Sequence, residues 1–138
     1  MRWRKELYSD KVIEHFMCPQ NVGSMPDADS EGTVGDPNCG DCLTIYIKVL
    51  DDVIIEISFL VFGCTASIAT SSMTTVLAKG KSLEAALGIT EQDIIDALGG
   101  LPMAKQHCSN LGVGALRKAI HNYRQTLGIS NDHKALTD

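Results

Sequence analysis

Two runs of alternating residues around a pair of aspartates constrain the fold of this chain most. In Leu43–Leu50, the apolar Leu43, Ile45, Ile47 and Val49 alternate with Thr44, Tyr46 and Lys48. Val53–Phe62 repeats the pattern, placing Val53, Ile55, Ile57, Phe59 and Val61 on one side. A period of two is the signature of a half-buried strand, because successive side chains leave a strand on opposite faces. The two-residue link Asp51-Asp52 leaves room only for a tight reversal, so the runs predict an antiparallel hairpin. Upstream, residues 20–38 are rich in Gly, Pro, Asp, Asn and Ser and read as loop, with one further strand around Thr33 to Gly35.

Helical spacing dominates elsewhere. Ser9 is placed to cap a short helix that puts Val12, Ile13 and Phe16 on one face and stops at Pro19. After Gly63 a helix is predicted from Ala66 to Lys79, built largely from small Ser, Thr and Ala residues and closed by Gly80. Ser82 and Thr90 can cap short helices through Leu87 and from Glu91 to Leu98. A last helix is expected from about Leu111 to Leu127, with Leu116, Ile120, Tyr123 and Leu127 on one stripe. Strands first and helices afterwards predict an α+β fold: a small antiparallel three-stranded sheet with helices packed on one face. Residues 1–128 form the single expected domain, and the polar residues 129–138 are expected to be a mobile tail.

With 138 residues, 44% apolar and 21% charged, the chain can bury a core without disulfides. A formal charge of −5 and scattered Lys and Arg argue against nucleic acid as a partner. No apolar core follows Arg2, Arg4 and Lys5, and the most apolar stretch, Val53–Phe62, is too short to span a bilayer. A soluble cytoplasmic protein is the expectation.

In that reducing setting five cysteines become informative, because an odd and widely spaced set points to metal or catalysis more than to disulfides. Cys39 sits in Pro37-Asn38-Cys39-Gly40-Asp41-Cys42 before the hairpin, Cys64 where a strand passes to a helix, and Cys108 just ahead of the last helix. Inert core thiols have no reason to avoid the apolar stripes, whereas thiols at sheet–helix junctions can converge. Helix N-termini favour thiolate over thiol, and Lys105 and His107 would add positive charge near Cys108. Asp41 taken alone reads as a turn residue or as a hard oxygen donor beside soft sulfur ligands. A thioredoxin-like pair, Cys39 and Cys42, is disfavoured because that motif opens a helix and here a strand follows. A structural zinc site on three cysteines plus Asp41 or His107 remains chemically acceptable, as does an adaptor that binds only proteins.

A family resemblance joins these points. Tyr8 through Phe16, Pro19-Gln20-Asn21-Val22-Gly23, Cys39-Gly40-Asp41, Phe62-Gly63-Cys64, Val76 to Gly80, and Leu101-Pro102 through Lys105-Gln106-His107-Cys108-Ser109 follow in order over about residues 8–126. Together they resemble the IscU/NifU-type iron–sulfur cluster assembly scaffolds. The resemblance implies a scaffold rather than an enzyme, on which a [2Fe–2S] cluster is built from ferrous iron and sulfur and then transferred. It implies Cys39, Cys64 and Cys108 as cysteine ligands, Asp41 as the fourth ligand with His107 as its alternative, and Cys108 as the first candidate to accept sulfur. A pyridoxal-phosphate cysteine desulfurase is the implied donor, and acceptor apoproteins are the implied recipients. Leu101, Pro102 and Lys105 match a stretch that docks an Hsp70-type chaperone in bacterial members. Zinc fits the same donor set, and two chains sharing one cluster, a homodimer, is compatible with it. The chain departs from the family pattern at Thr65-Ala66-Ser67, where Gly-Ser-Ala is usual, and at Met103 and Ala104; Cys18 and Cys42 are additional.

Overall fold

The computed structural model describes residues 9–36, 41–101 and 108–137, with backbone alone at 36, 41 and 127–137. Helix α1, Asp10–Met17, starts where the Ser9 hydroxyl accepts the Val12 amide. Strands β1 (Ser30–Asp36), β2 (Asp41–Leu50) and β3 (Val53–Phe62) form one antiparallel sheet in chain order. Asp51 and Asp52 take φ of 54° and 62° between β2 and β3, the left-handed pair that a two-residue hairpin turn requires. Helices α2 (Thr65–Ala78), α3 (Leu83–Leu87), α4 (Glu91–Ala97) and α5 (Cys108–Thr137) complete the fold. Ser82 caps α3, and Thr90 caps α4 with a reciprocal bond from its own amide to Asp93.

The expected α+β fold is found. Register aligns Val34, Leu43 and Val61, then Gly32, Ile45 and Phe59, then Ser30, Ile47 and Ile57, so these three rows share one face. Leu43, Ile45, Ile47 and Phe59 on that face are essentially fully buried, under α2 and α5. The opposite face carries Thr44, Tyr46, Ser58 and Leu60.

Two boundaries differ from the sequence reading. A register shift at Lys48/Val49 pairs Val49 with Ile54, so Ile54 turns into the core and Ile55 outward, 41% exposed. Plain alternation had put Ile55 inside; an extra residue in one strand reverses the side that follows it. At the other end, α5 begins three residues early, at Cys108, and its backbone stays helical to Thr137, through the segment expected as a tail. Gly128 costs a helix only about 1 kcal/mol, too little to end one that has already propagated from Cys108.

Helices α2 and α5 come close because of what their contact points lack. A Cβ on Gly32 would overlap the Ala119 amide nitrogen and the Ala115 carbonyl oxygen of α5. One on Gly112 would overlap the Thr74 hydroxyl of α2. Ser30 Oγ adds a bond to the Ala119 carbonyl (2.7 Å), tying β1 to α5. On the other flank of α2, the Gln20 amide donates to Ser72 Oγ (2.8 Å), which also pairs with His15 Nδ1 (2.7 Å). Burial holds the His15 imidazole below its usual pKa; Glu14 opposes that shift and Lys11 adds to it.

Gly32→Ala forces backbone apart at the sheet–α5 contact and is expected to destabilise the fold by about 1–3 kcal/mol, the usual cost of overpacking, read as a lowered Tm. Because the folded pKa of His15 lies below its unfolded value, its contribution to stability is complete above pH 6.5 and is lost as pH falls from there through the folded pKa. Denaturant midpoints measured from pH 7.5 to pH 5 should therefore fall with pH, and the drop should shrink in His15→Gln.

Candidate functional site

The end of the sheet where β2 begins is the end where β3 finishes, since Cys42 pairs with Phe62 and Asp36 with Asp41. Beyond Phe62 the chain passes through Gly63 to Cys64, the N-cap of α2, which keeps extended backbone (φ −84°, ψ 179°). Cys108 is the first residue of α5. Two distant segments thus deliver two sulfurs to one point: Cys64 Sγ and Cys108 Sγ lie 3.9 Å apart, in contact and not joined by a disulfide. Cys108 is fully buried, whereas Cys64 is partly open.

Helix α2 supports both thiols. Ser67 Oγ lies 3.6 Å from Cys64 Sγ, and Thr70 Oγ1 donates to the Cys108 carbonyl at 3.3 Å and the Ser67 carbonyl at 3.1 Å. Burial opposes the Cys64 thiolate but is outweighed by hydrogen bonding from the Ser67 hydroxyl and amide, the Cys108 thiol and the Ala66 amide. The net effect holds the Cys64 thiol below its ordinary pKa. The unpaired amides of a helix N-terminus thus act as donors to sulfur. Ser67 and Thr70 were not singled out in the sequence. The available signal was spacing, because Ser67 is the third helical residue after the Cys64 cap, from which a side chain reaches back to the cap.

The other expected ligands are placed less fully. Asp41 opens β2 at this end of the sheet, by its backbone. Cys39, His107, Pro102 and Lys105 lie outside the described residues. Among the described residues no three or more His, Cys, Asp or Glu side chains converge as a metal site. Leu101 is buried at 9% exposure and belongs to the hydrophobic core cluster. Cys42 alternates with buried Leu43 and stands on the sheet face away from α2 and α5. Cys18 is exposed at the end of α1, on a surface cleft of about 310 Å³ lined by Lys11, Glu14, His15, Gln20 and Val76.

No helix among the described residues is long and apolar enough to cross a membrane. The chain shares 60% identity over 117 residues with the iron–sulfur cluster assembly scaffold protein IscU 1 of Archaeoglobus fulgidus, covering 85% of this chain and 76% of that protein. With the corresponding IscU of Aquifex aeolicus it shares 44% over 133 residues, covering 95% and 85%. Among solved structures, the N-terminal part of a nitrogen-fixing NifU-like protein from Brucella abortus superposes with a TM-score of 0.68 at 19% identity, covering 88% of this chain and 96% of that one. A putative scaffold for the SUF system from Fervidobacterium islandicum gives 0.66 at 21%, covering 82% and 96%. These two show likeness of fold alone. The family described as the NifU-like N-terminal domain matches residues 7–128, and the chain belongs to that family.

Proposed function

We propose that this protein is a scaffold for iron–sulfur cluster assembly, which gathers iron and sulfur on its own thiolates and passes the product on. It is a carrier and turns over no small substrate of its own. The observation that carries this reading is the 3.9 Å contact between Cys64 and Cys108 sulfurs at the sheet end where Asp41 begins β2. Kinship with proteins named as IscU scaffolds supports it.

Cys64 and Cys108 supply two soft ligands. Cys39, two residues ahead of Asp41, supplies the third, and the Asp41 carboxylate closes the set, with His107 as its alternate. Thiolates suit a [2Fe–2S] cluster, and a carboxylate is the harder, weaker partner for iron. A site with one such ligand holds its cargo less firmly than four cysteines would, which serves a protein that must release it. Zinc fits the same donors when iron is absent. A cysteine desulfurase is the sulfur source, with sulfur arriving on Cys108 or a neighbouring thiolate, and acceptor apoproteins are the destination. Docking of an Hsp70-type chaperone would fall to the stretch that carries Leu101, Pro102 and Lys105. The setting is the reducing cytoplasm, where thiols persist.

Anaerobic incubation with ferrous iron, cysteine and a desulfurase should yield a visible-absorbing protein with matched iron and acid-labile sulfide. Zinc loading alone would leave it colourless. Serine in place of Cys39, Cys64 or Cys108 should abolish retention of the cluster through gel filtration, whereas Cys18→Ser should leave it unchanged. Asp41→Cys, which completes a four-cysteine site, should slow transfer to an apo-ferredoxin severalfold, measured by circular dichroism of the acceptor; faster transfer would refute the labile-oxygen argument.

A further inference from the structure

Sulfur from a desulfurase arrives as sulfane sulfur, at the oxidation level of a persulfide, whereas a cluster contains sulfide. Two electrons are therefore owed for each sulfur. Resting on the scaffold reading above, we infer that the Cys64–Cys108 pair supplies them itself: a sulfane sulfur carried by one thiol is released as hydrosulfide by attack of the other.

The geometry selects this outcome. The contact at 3.9 Å is between the two γ sulfurs. When either cysteine carries an extra sulfur, the atom within reach of its neighbour is the inner one. Attack there expels the terminal sulfur, while attack on the outer sulfur would only move the sulfane from one cysteine to the other. The step is Cys64–S⁻ + Cys108–S–SH → Cys64–S–S–Cys108 + HS⁻, or the same with the two cysteines exchanged. One sulfur–sulfur bond breaks and one forms. The sulfane sulfur is reduced by two electrons, and each γ sulfur is oxidised by one. The persulfide's hydrogen leaves with the product. This is ordinary thiol–disulfide exchange with hydrosulfide as the leaving group.

The surroundings favour it. Cys108 is fully buried and Cys64 only partly open, so competing external thiols reach the pair from one side. Thr70 holds the Cys108 backbone, and Ser67 sits against the Cys64 sulfur, so the two side chains are kept in contact before any sulfur arrives. A bonded pair lies about 2.05 Å apart, which leaves a short approach from van der Waals contact. The disulfide left behind cannot ligate iron, so each further round requires an external dithiol or an electron-transfer partner to reopen it.

The test uses the full-length apoprotein, reduced, desalted and handled anaerobically, with inorganic polysulfide as the sulfane source and no iron. After removal of excess polysulfide, wild type should carry a Cys64–Cys108 disulfide on peptide mass mapping and no persulfide on either residue. Cys64→Ser and Cys108→Ser should each keep a stable persulfide on the remaining thiol of the pair. With desulfurase and cysteine in place of polysulfide, wild type should release about one hydrosulfide per chain without added thiol and resume on addition of dithiothreitol, and both variants should release at least tenfold less. Cys18→Ser should behave as wild type. Matching thermal melts of the serine variants exclude loss of fold. Persulfide persisting on wild type, or a disulfide that involves Cys39 instead, would overturn the inference. If wild type fails this test yet builds a cluster once external dithiol is supplied, only the internal reductant is lost. If no cluster forms under either condition, the scaffold reading is lost as well.

Discussion

Helix α5 must touch the sheet and α2 at once, and the site depends on that double contact. Its approach to β1 is limited by backbone at Gly32, and its approach to α2 by the Gly112 backbone against the Thr74 hydroxyl. Since Cys108 is the first residue of α5 and Cys64 the residue before α2, the crossing of these helices is what sets the distance between the two sulfurs. A methyl group at either glycine would move α5 bodily, and at van der Waals range even a fraction of an ångström changes what two sulfurs can do.

Close approach explains the composition of α2. Ser67, Thr70, Ser71, Ser72, Thr74 and Thr75 are all fully buried, an unusual load of hydroxyls for a core helix. None is left unpaired: Ser71 and Thr74 return to carbonyls one turn back at 2.7 Å, Thr75 to Ser72, and Ser72 serves His15 and Gln20. Among the described residues only Ser58 Oγ is buried without a partner, and it lies on the opposite sheet face. Hydroxyls bonded to their own helix add little volume and no polar cost. They let α1 and α5 pack closely against α2 while placing donors next to both cysteines.

How much of this is legible in the sequence follows from the range of the forces involved. The hairpin, the Ser9, Ser82 and Thr90 caps and the placement of Cys64 and Cys108 at helix starts come from neighbours a few residues apart, and these readings survive. The shift at Lys48/Val49 is invisible because alternation continues through it; only pairing with β2 reveals that Ile54 and not Ile55 turns inward. The continuation of α5 past Gly128 reflects propagation from a packed helix, which polar residues read as a tail do not disclose. The buried state of Leu101 depends on tertiary contacts, which the motif read from sequence does not disclose. The family resemblance implied Cys39, Cys64 and Cys108 as joint ligands, but the contact distance of the last two and the Thr70 support belong to three dimensions alone.

The two parts of the site then answer to different demands. Cys64 and Cys108 are held in contact by a packed helix crossing and by hydroxyls, an arrangement that favours reaction between the sulfurs as much as joint ligation of iron. Asp41 comes from the mouth of a hairpin at the sheet's end, and on the proposed reading its oxygen would be the ligand that iron relinquishes first. A sulfur pair in contact with a weak oxygen partner would separate the tasks: sulfur chemistry would occur at the packed helix crossing, and release would begin at the donor that binds least. A four-cysteine site on the same sheet end would hold its product more firmly at the cost of that separation, and for a carrier the firmer grip would be the defect.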